Sequence, residues 1–127
     1  MDTSAWIALL SRRDQNHKAA DCEFRRLVVA KERLLTSNLV LAEVHRLLLH
    51  RAGTEAAAAA LDKIEAIPLV QVEFPNKNHH ASAKAWIDRL REHPVSYTDA
   101  VSFALMKDSG CEMALTFDHH FRLAGFS

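Results

Sequence analysis

The chain has 127 residues, 49% of them hydrophobic and 25% charged, an ordinary balance for a globular protein and enough chain for one buried core. Lys plus Arg and Asp plus Glu both total 16, so the formal net charge is zero. That excludes a protein gripping a polyanion through its overall field, and leaves local patches or bound cations for such a partner. No apolar run approaches the roughly 18 residues of a membrane span, and no signal-peptide pattern opens the chain.

Met1-Asp2-Thr3-Ser4 leads into Ala5-Trp6-Ile7-Ala8-Leu9-Leu10, a helix that Thr3 or Ser4 can cap, with Asp2 just outside the cap. A second helix is expected from about Asp14 to Lys31, because Ala20, Phe24, Leu27 and Val28 recur at helical spacing. Leu34-Leu35-Thr36 is a short strand candidate. Ser37 or Asn38 then caps a helix through Arg51, with Val40, Val44, Leu47 and Leu48 inward and Glu43 in its early turns. Gly53-Thr54 breaks that helix, and an Ala-rich helix follows to Ile67, stopped by Pro68. Leu69 to Val72 alternates as a strand, and Asn78 to Arg91 is helical, with Ala83, Trp86, Ile87 and Leu90 on one face. A helix opening near Asp99, capped by Thr98, ends at Ser109-Gly110, and Met113 to Phe117 reads as a buried strand with Asp118 at its end. Ala124 to Ser127 reads as a closing turn. Short strands separated by helices predict an α/β fold around a mainly parallel sheet, in one domain spanning 1–127.

Four acids share one description: each sits where a strand hands over to a helix, or one turn beyond. They are Asp2, Glu43, Asp99 and Asp118. Strand carboxyl ends of a parallel sheet lie on one edge, so these side chains are placed to converge. Any one of them alone is an ordinary helix-dipole, surface or turn acid. Packed together, they repel and raise one another's pKa values, and a divalent cation removes that penalty. All-oxygen ligation suits Mg²⁺ or Mn²⁺ rather than zinc, and the implied chemistry is hydrolysis of a phosphodiester without a covalent intermediate. Ser4 and Thr116 are placed to orient the carboxylates from behind.

The segments Asp2-Thr3-Ser4-Ala5, Ser37-Asn38-Leu39-Val40-Leu41-Ala42-Glu43, Tyr97-Thr98-Asp99-Ala100 and Thr116-Phe117-Asp118-His119-His120-Phe121 carry a resemblance. In order and spacing they look like the four motifs of PIN-domain proteins, and above all of the VapC-type toxin ribonucleases. The resemblance implies a PIN-like α/β/α sandwich, with a short, mainly parallel central sheet flanked by helices. It implies a metal-dependent endoribonuclease centred on Asp2, Glu43, Asp99 and Asp118, a small antitoxin partner and a homodimer. Such proteins usually carry an apolar strand before the first Asp and another after the last helix. Here only Met1 precedes Asp2 and only Phe126-Ser127 close the chain, so both strands are expected to be missing and Asp2 to be the least anchored acid. A non-catalytic RNA- or protein-binding scaffold of the same fold, and a nuclease acting on DNA, are the alternative readings.

The remaining features have plainer readings. The 8 His residues lack zinc-type spacing, and His120, although near Asp118, reads as a surface residue. Cys22 and Cys111, with no close pair or metal-type spacing, read as reduced, buried thiols of a cytoplasmic protein, and Trp6 and Trp86 as core. Among the scattered arginines, Arg46 is the expected substrate contact, because i and i+3 are neighbours on a helix and Glu43 is three residues earlier.

Overall fold

The computed structural model describes residues 1–127. Its elements run α1 (Thr3–Leu10), α2 (His17–Val29), β1 (Leu34–Ser37), α3 (Asn38–Ala52), α4 (Thr54–Glu65), β2 (Val70–Glu73), α5 (Lys77–Arg89), α6 (Tyr97–Asp108) and α7 (His120–Leu123). β1 and β2 pair in parallel, with Leu34 opposite Val70 and Ser37 opposite Glu73, and the helical hairpin α3–α4 makes the crossover between them.

Two apolar clusters lie on opposite faces of this short sheet. Leu35 faces a cluster built by α5, α6, α7 and the chain's end, while Val70 and Val72 face one built by α1, α3 and α4. The period-2 alternation of a strand produces this division. Phe103 anchors the first cluster, with the rings of Trp86, Phe121 and Phe126 at 5.4, 4.9 and 5.7 Å. Trp6 anchors the second, fully buried, and its indole N–H donates to Thr36 Oγ1 at 3.2 Å. The arrangement is the expected three-layer α/β sandwich, rich in helix.

The helix ends differ from expectation in informative ways. Asp2 itself caps α1, its carboxylate accepting the Ala5 N–H, so neither Thr3 nor Ser4 is the cap. Ser96, not Thr98, caps α6 by accepting the Asp99 N–H, which places Asp99 inside the first turn. Gly110 closes α6 as predicted, at φ 68, with Cys111 N–H bonded to Met106 C=O and Gly110 N–H to Lys107 C=O. α2 is shorter than its periodicity suggested and leaves Val28 and Val29 in solvent. Cys22, on that helix, is exposed rather than buried.

The largest departure concerns Met113–Phe117. It belongs to no ladder, bends at Phe117, and leaves Met113 exposed. Its backbone pairs only in fragments: Asp2 N–H donates to Leu115 C=O, and Ala114 N–H and Ser127 N–H bond to Ser127 C=O and Glu112 C=O. Met1 completes the pattern, its amino group donating to Leu35 C=O of β1 at 2.7 Å. Residues 1–2 thus fill the space between β1 and the 112–117 segment, bonded to both, where a full strand was expected to be missing. Phe126 is likewise a buried member of the core rather than part of a free closing turn.

Candidate active site

Asp2, Asp99 and Asp118 come from chain positions far apart, yet each offers a carboxylate oxygen within 4.8 Å of the others. They open on a cavity of about 450 Å³ that Glu43, Arg51, Asp14 and His120 also line. Each acid arrives by a different local device. Asp2 is the cap of α1, Asp99 stands in the first turn of α6, Asp118 follows the irregular 112–117 segment, and Glu43 projects from α3.

Asp2 is the best held of the four, contrary to the expectation from its position in the chain. It is 5% exposed and accepts from Ala5 N–H at 3.0 Å, from Ser4 Oγ at 2.8 Å and from Thr116 Oγ1 at 2.6 Å. Both hydroxyls also accept backbone donors, each at 2.9 Å: Ser4 Oγ from Phe117 N–H across the two segments, and Thr116 Oγ1 from Asp118 N–H within its own. Ser4 and Thr116 therefore clamp the 112–117 segment against the start of α1, and a hydroxyl stands behind two of the acids at once. Thr3 supplies a third such contact, donating to Glu43 Oε1 at 2.7 Å. Nothing in the spacing singled out Thr3; only the docking of α1 on α3 makes it a partner of Glu43.

Electrostatics follow from this crowding. Desolvation, then the negative charges of Asp118, Asp2 and Glu43, push the Asp99 carboxyl up to about 7. Burial also raises Asp2, against the lowering effect of the Thr116, Ala5 and Ser4 donors. Asp118 moves the other way. Partial burial opposes its ionisation, but the His120 N–H at 2.9 Å and the His120 imidazole outweigh it and hold the carboxyl below the usual range. Asp99 and Asp118 thus form an unequal pair, one keeping a proton that the other has lost.

His120 is not the surface residue that the sequence suggested. It is 9% exposed, and Nδ1 lies 2.8 Å from Asp118 Oδ1. That approach lacks the direction of a hydrogen bond, so both ring nitrogens are buried without one. Its +2 spacing from Asp118, in a turn where Asp118 caps the chain, is the signal that could have found it. His119 adds a ring nitrogen to the group around Asp118, but it is exposed. Arg46 is exposed on α3 and lies off the cavity; Arg51 lines it instead. The series Glu43, Leu47, Arg51 at i, i+4, i+8 keeps one helical face, whereas i+3 drifts away from it.

A short parallel sheet between helical layers, with acids from four segments gathered at its carboxyl edge, defines the PIN-domain class. The chain belongs to that family: the PIN domain model matches residues 1–127. It is 39% identical over 127 residues to the 23S rRNA-specific endonuclease VapC20 of Mycobacterium tuberculosis, an alignment covering 99% of this chain and 93% of that protein, in both strain CDC 1551 and strain H37Rv. A crystal structure of M. tuberculosis VapC20, described as a sarcin-ricin loop cleaving toxin, superposes with a TM-score of 0.86 at 37% identity, over 99% of this chain and 94% of that one.

Proposed function

We propose that this protein is a toxin endoribonuclease that hydrolyses a phosphodiester in the sarcin-ricin loop of 23S ribosomal RNA, with Asp2, Glu43, Asp99 and Asp118 as its divalent-metal carboxylates. The observation that carries the reading is the convergence of Asp2, Asp99 and Asp118 within 4.8 Å, at a cost visible in an Asp99 carboxyl raised to about 7. Carboxylates so placed repel one another unless protons or a cation intervene, so the donor set fits a hard divalent ion. The named activity of VapC20 supports the choice of substrate.

Bound there, Mg²⁺ or Mn²⁺ supplies a Lewis acid for a phosphoryl oxygen and lowers the pKa of a water. The chain's own residues do the rest. Ser4 and Thr116 fix the two Asp2 oxygens, and Thr116 ties the Asp118 backbone to the same point. Thr3 fixes Glu43. Arg51, with no carboxylate in ion-pair contact, is the cation on the cavity wall for an RNA phosphate. A net-neutral chain needs such local cations, because its overall field gives no attraction to RNA. No helix is long and apolar enough to cross a membrane, and cytoplasmic action on ribosomes is the setting we assign. The exposed apolar side chains Val28, Val29 and Leu49 are surface for an antitoxin chain or a second copy of the toxin.

The test is cleavage of a sarcin-ricin-loop hairpin RNA. Wild type with Mg²⁺ or Mn²⁺ is expected to cut it and leave 3′-hydroxyl ends. Chelation of the metal, or Asp99→Asn, is expected to lower the rate by at least about 10³-fold, on the scale of losing a principal electrostatic group. Wild-type rates in Asp99→Asn, or 2′,3′-cyclic phosphate ends made equally well in a chelator, would sink the metal-hydrolysis reading.

A further inference from the structure

A second cavity, of about 480 Å³, lies at the carboxyl edge of the sheet beside the acid cleft, lined by Asn38, Leu39, Pro75, Lys77, His80 and Tyr97. The two adjoin in sequence at one point: Ser96 lines the acid cleft and Tyr97 lines its neighbour. Of the nine Phe, Tyr and Trp residues, Trp6, Trp86, Phe103, Phe121 and Phe126 are buried and Phe24 is half-buried, whereas Phe117 is 38%, Tyr97 42% and Phe74, just before Pro75, 72% exposed. A large ring left in water at the mouth of a cleft lacks the packing that normally justifies an aromatic residue. The Tyr97 ring is nevertheless held in place, its hydroxyl 2.8 Å from His80 Nδ1 and the two rings edge to face at 5.7 Å. Lys77, in the first turn of α5, has no carboxylate in ion-pair contact. The Asn38 side-chain oxygen accepts no hydrogen bond, so a turn of that amide toward a ligand breaks none at its oxygen. A fixed exposed ring, a free ammonium and an uncommitted amide are what recognition of an unpaired nucleotide requires: a stacking face, a phosphate partner and a base-edge hydrogen bond.

We propose that this cavity seats one unpaired nucleotide of the RNA substrate beside the cleaved linkage, its base stacked on Tyr97 and its phosphate against the Lys77 ammonium. The subsite rests on the nuclease reading, and gives it a way to prefer an open loop over a duplex, since a paired and stacked base offers no free face to Tyr97.

The experiment measures binding of the sarcin-ricin-loop hairpin RNA to Asp99→Asn protein, and KM and kcat of cleavage in the Asp99 background. Tyr97→Ala is expected to weaken binding and raise KM about tenfold, the scale of one lost base stack, with kcat within about threefold. Tyr97→Trp, which keeps a stacking face, is expected to restore both. Lys77→Ala is expected to weaken binding and to lower the slope of log Kd against log salt by about one unit, which a merely structural change would not do. Parental KM and affinity in both Tyr97→Ala and Lys77→Ala, with cleavage intact, overturn the subsite alone and leave this face to a protein partner. A wild-type protein that neither binds nor cuts the hairpin brings down the nuclease reading and the subsite together.

Discussion

At the scale of single residues, the site is organised less by its acids than by the hydroxyls behind them. Thr116 donates to Asp2 at 2.6 Å and accepts from the Asp118 backbone at 2.9 Å, so one side chain sets the spacing of two carboxylates. Thr116→Val keeps the shape and removes both bonds. It is expected to destabilise the fold by about 1–3 kcal/mol and to raise the Mn²⁺ concentration needed for half-maximal cleavage, whereas Thr116→Ser is expected to restore both, as thermal melts and metal titrations can check. Thr3→Ala releases Glu43 from its 2.7 Å bond, and is expected to cut kcat by roughly tenfold through a looser acid while melting like wild type. A wild-type kcat in Thr3→Ala would show that Glu43 needs no such support.

Secondary-structure elements carry their own signals, and some carry visible strain. The chain leaves α2 through Lys31, just past the C-cap Ala30, at φ 57, where Glu32 N–H bonds to Leu27 C=O and Lys31 N–H to Val28 C=O. This C-terminal motif normally takes glycine, because a Cβ is unfavourable in the left-handed region. Lys31→Gly is therefore expected to stabilise the protein by about 0.5–1 kcal/mol, read as a rise in urea midpoint at unchanged slope. Ser96→Ala has the opposite sign. It removes the cap of α6 just ahead of Asp99 and is expected to cost about 1 kcal/mol. Most helices were legible because their apolar residues recur with helical period and their ends carry Ser, Asn, Gly or Pro. The 112–117 segment was not. Its letters are those of a buried strand, but a ladder needs neighbours, and on either side only one or two residues pair with it.

For the whole molecule, the acid cluster is a store of repulsion that pH and metal should reveal. The folded Asp99 carboxyl, at about 7, lies above its unfolded value of 3.8. The native state therefore holds that proton more tightly than the unfolded chain, and metal-free stability from this group declines as pH rises from about 4 to about 7. Partial exposure and solvent screening reduce the effect to about 1–2 kcal/mol. In metal-free buffer at pH 8, Asp99→Asn is expected to melt a few degrees above wild type. Saturating Mn²⁺ is expected to raise the wild-type melting temperature and largely to spare the mutant, by mass action on a site that the mutant has lost. A mutant that melts below wild type without metal would show that the cluster is not under electrostatic strain.

Sequence alone determined the class of fold and the acids worth testing, because hydrophobic period and caps are local properties and each of the motifs holding Asp2, Glu43, Asp99 and Asp118 is only a few residues long. It misjudged Asp2, His120 and Arg46, and it had no means of finding the Thr3–Glu43 bond. Those depend on which segment lies against which. Two residues at the start of the chain are locked between β1 and the 112–117 segment, a turn folds His120 under Asp118, and one face of α3 carries Arg51 rather than Arg46 to the cavity. Burial, carboxylate repulsion and hydrogen bonding across 40 or 114 positions of chain exist only after the layers have packed, so tertiary structure alone decided them.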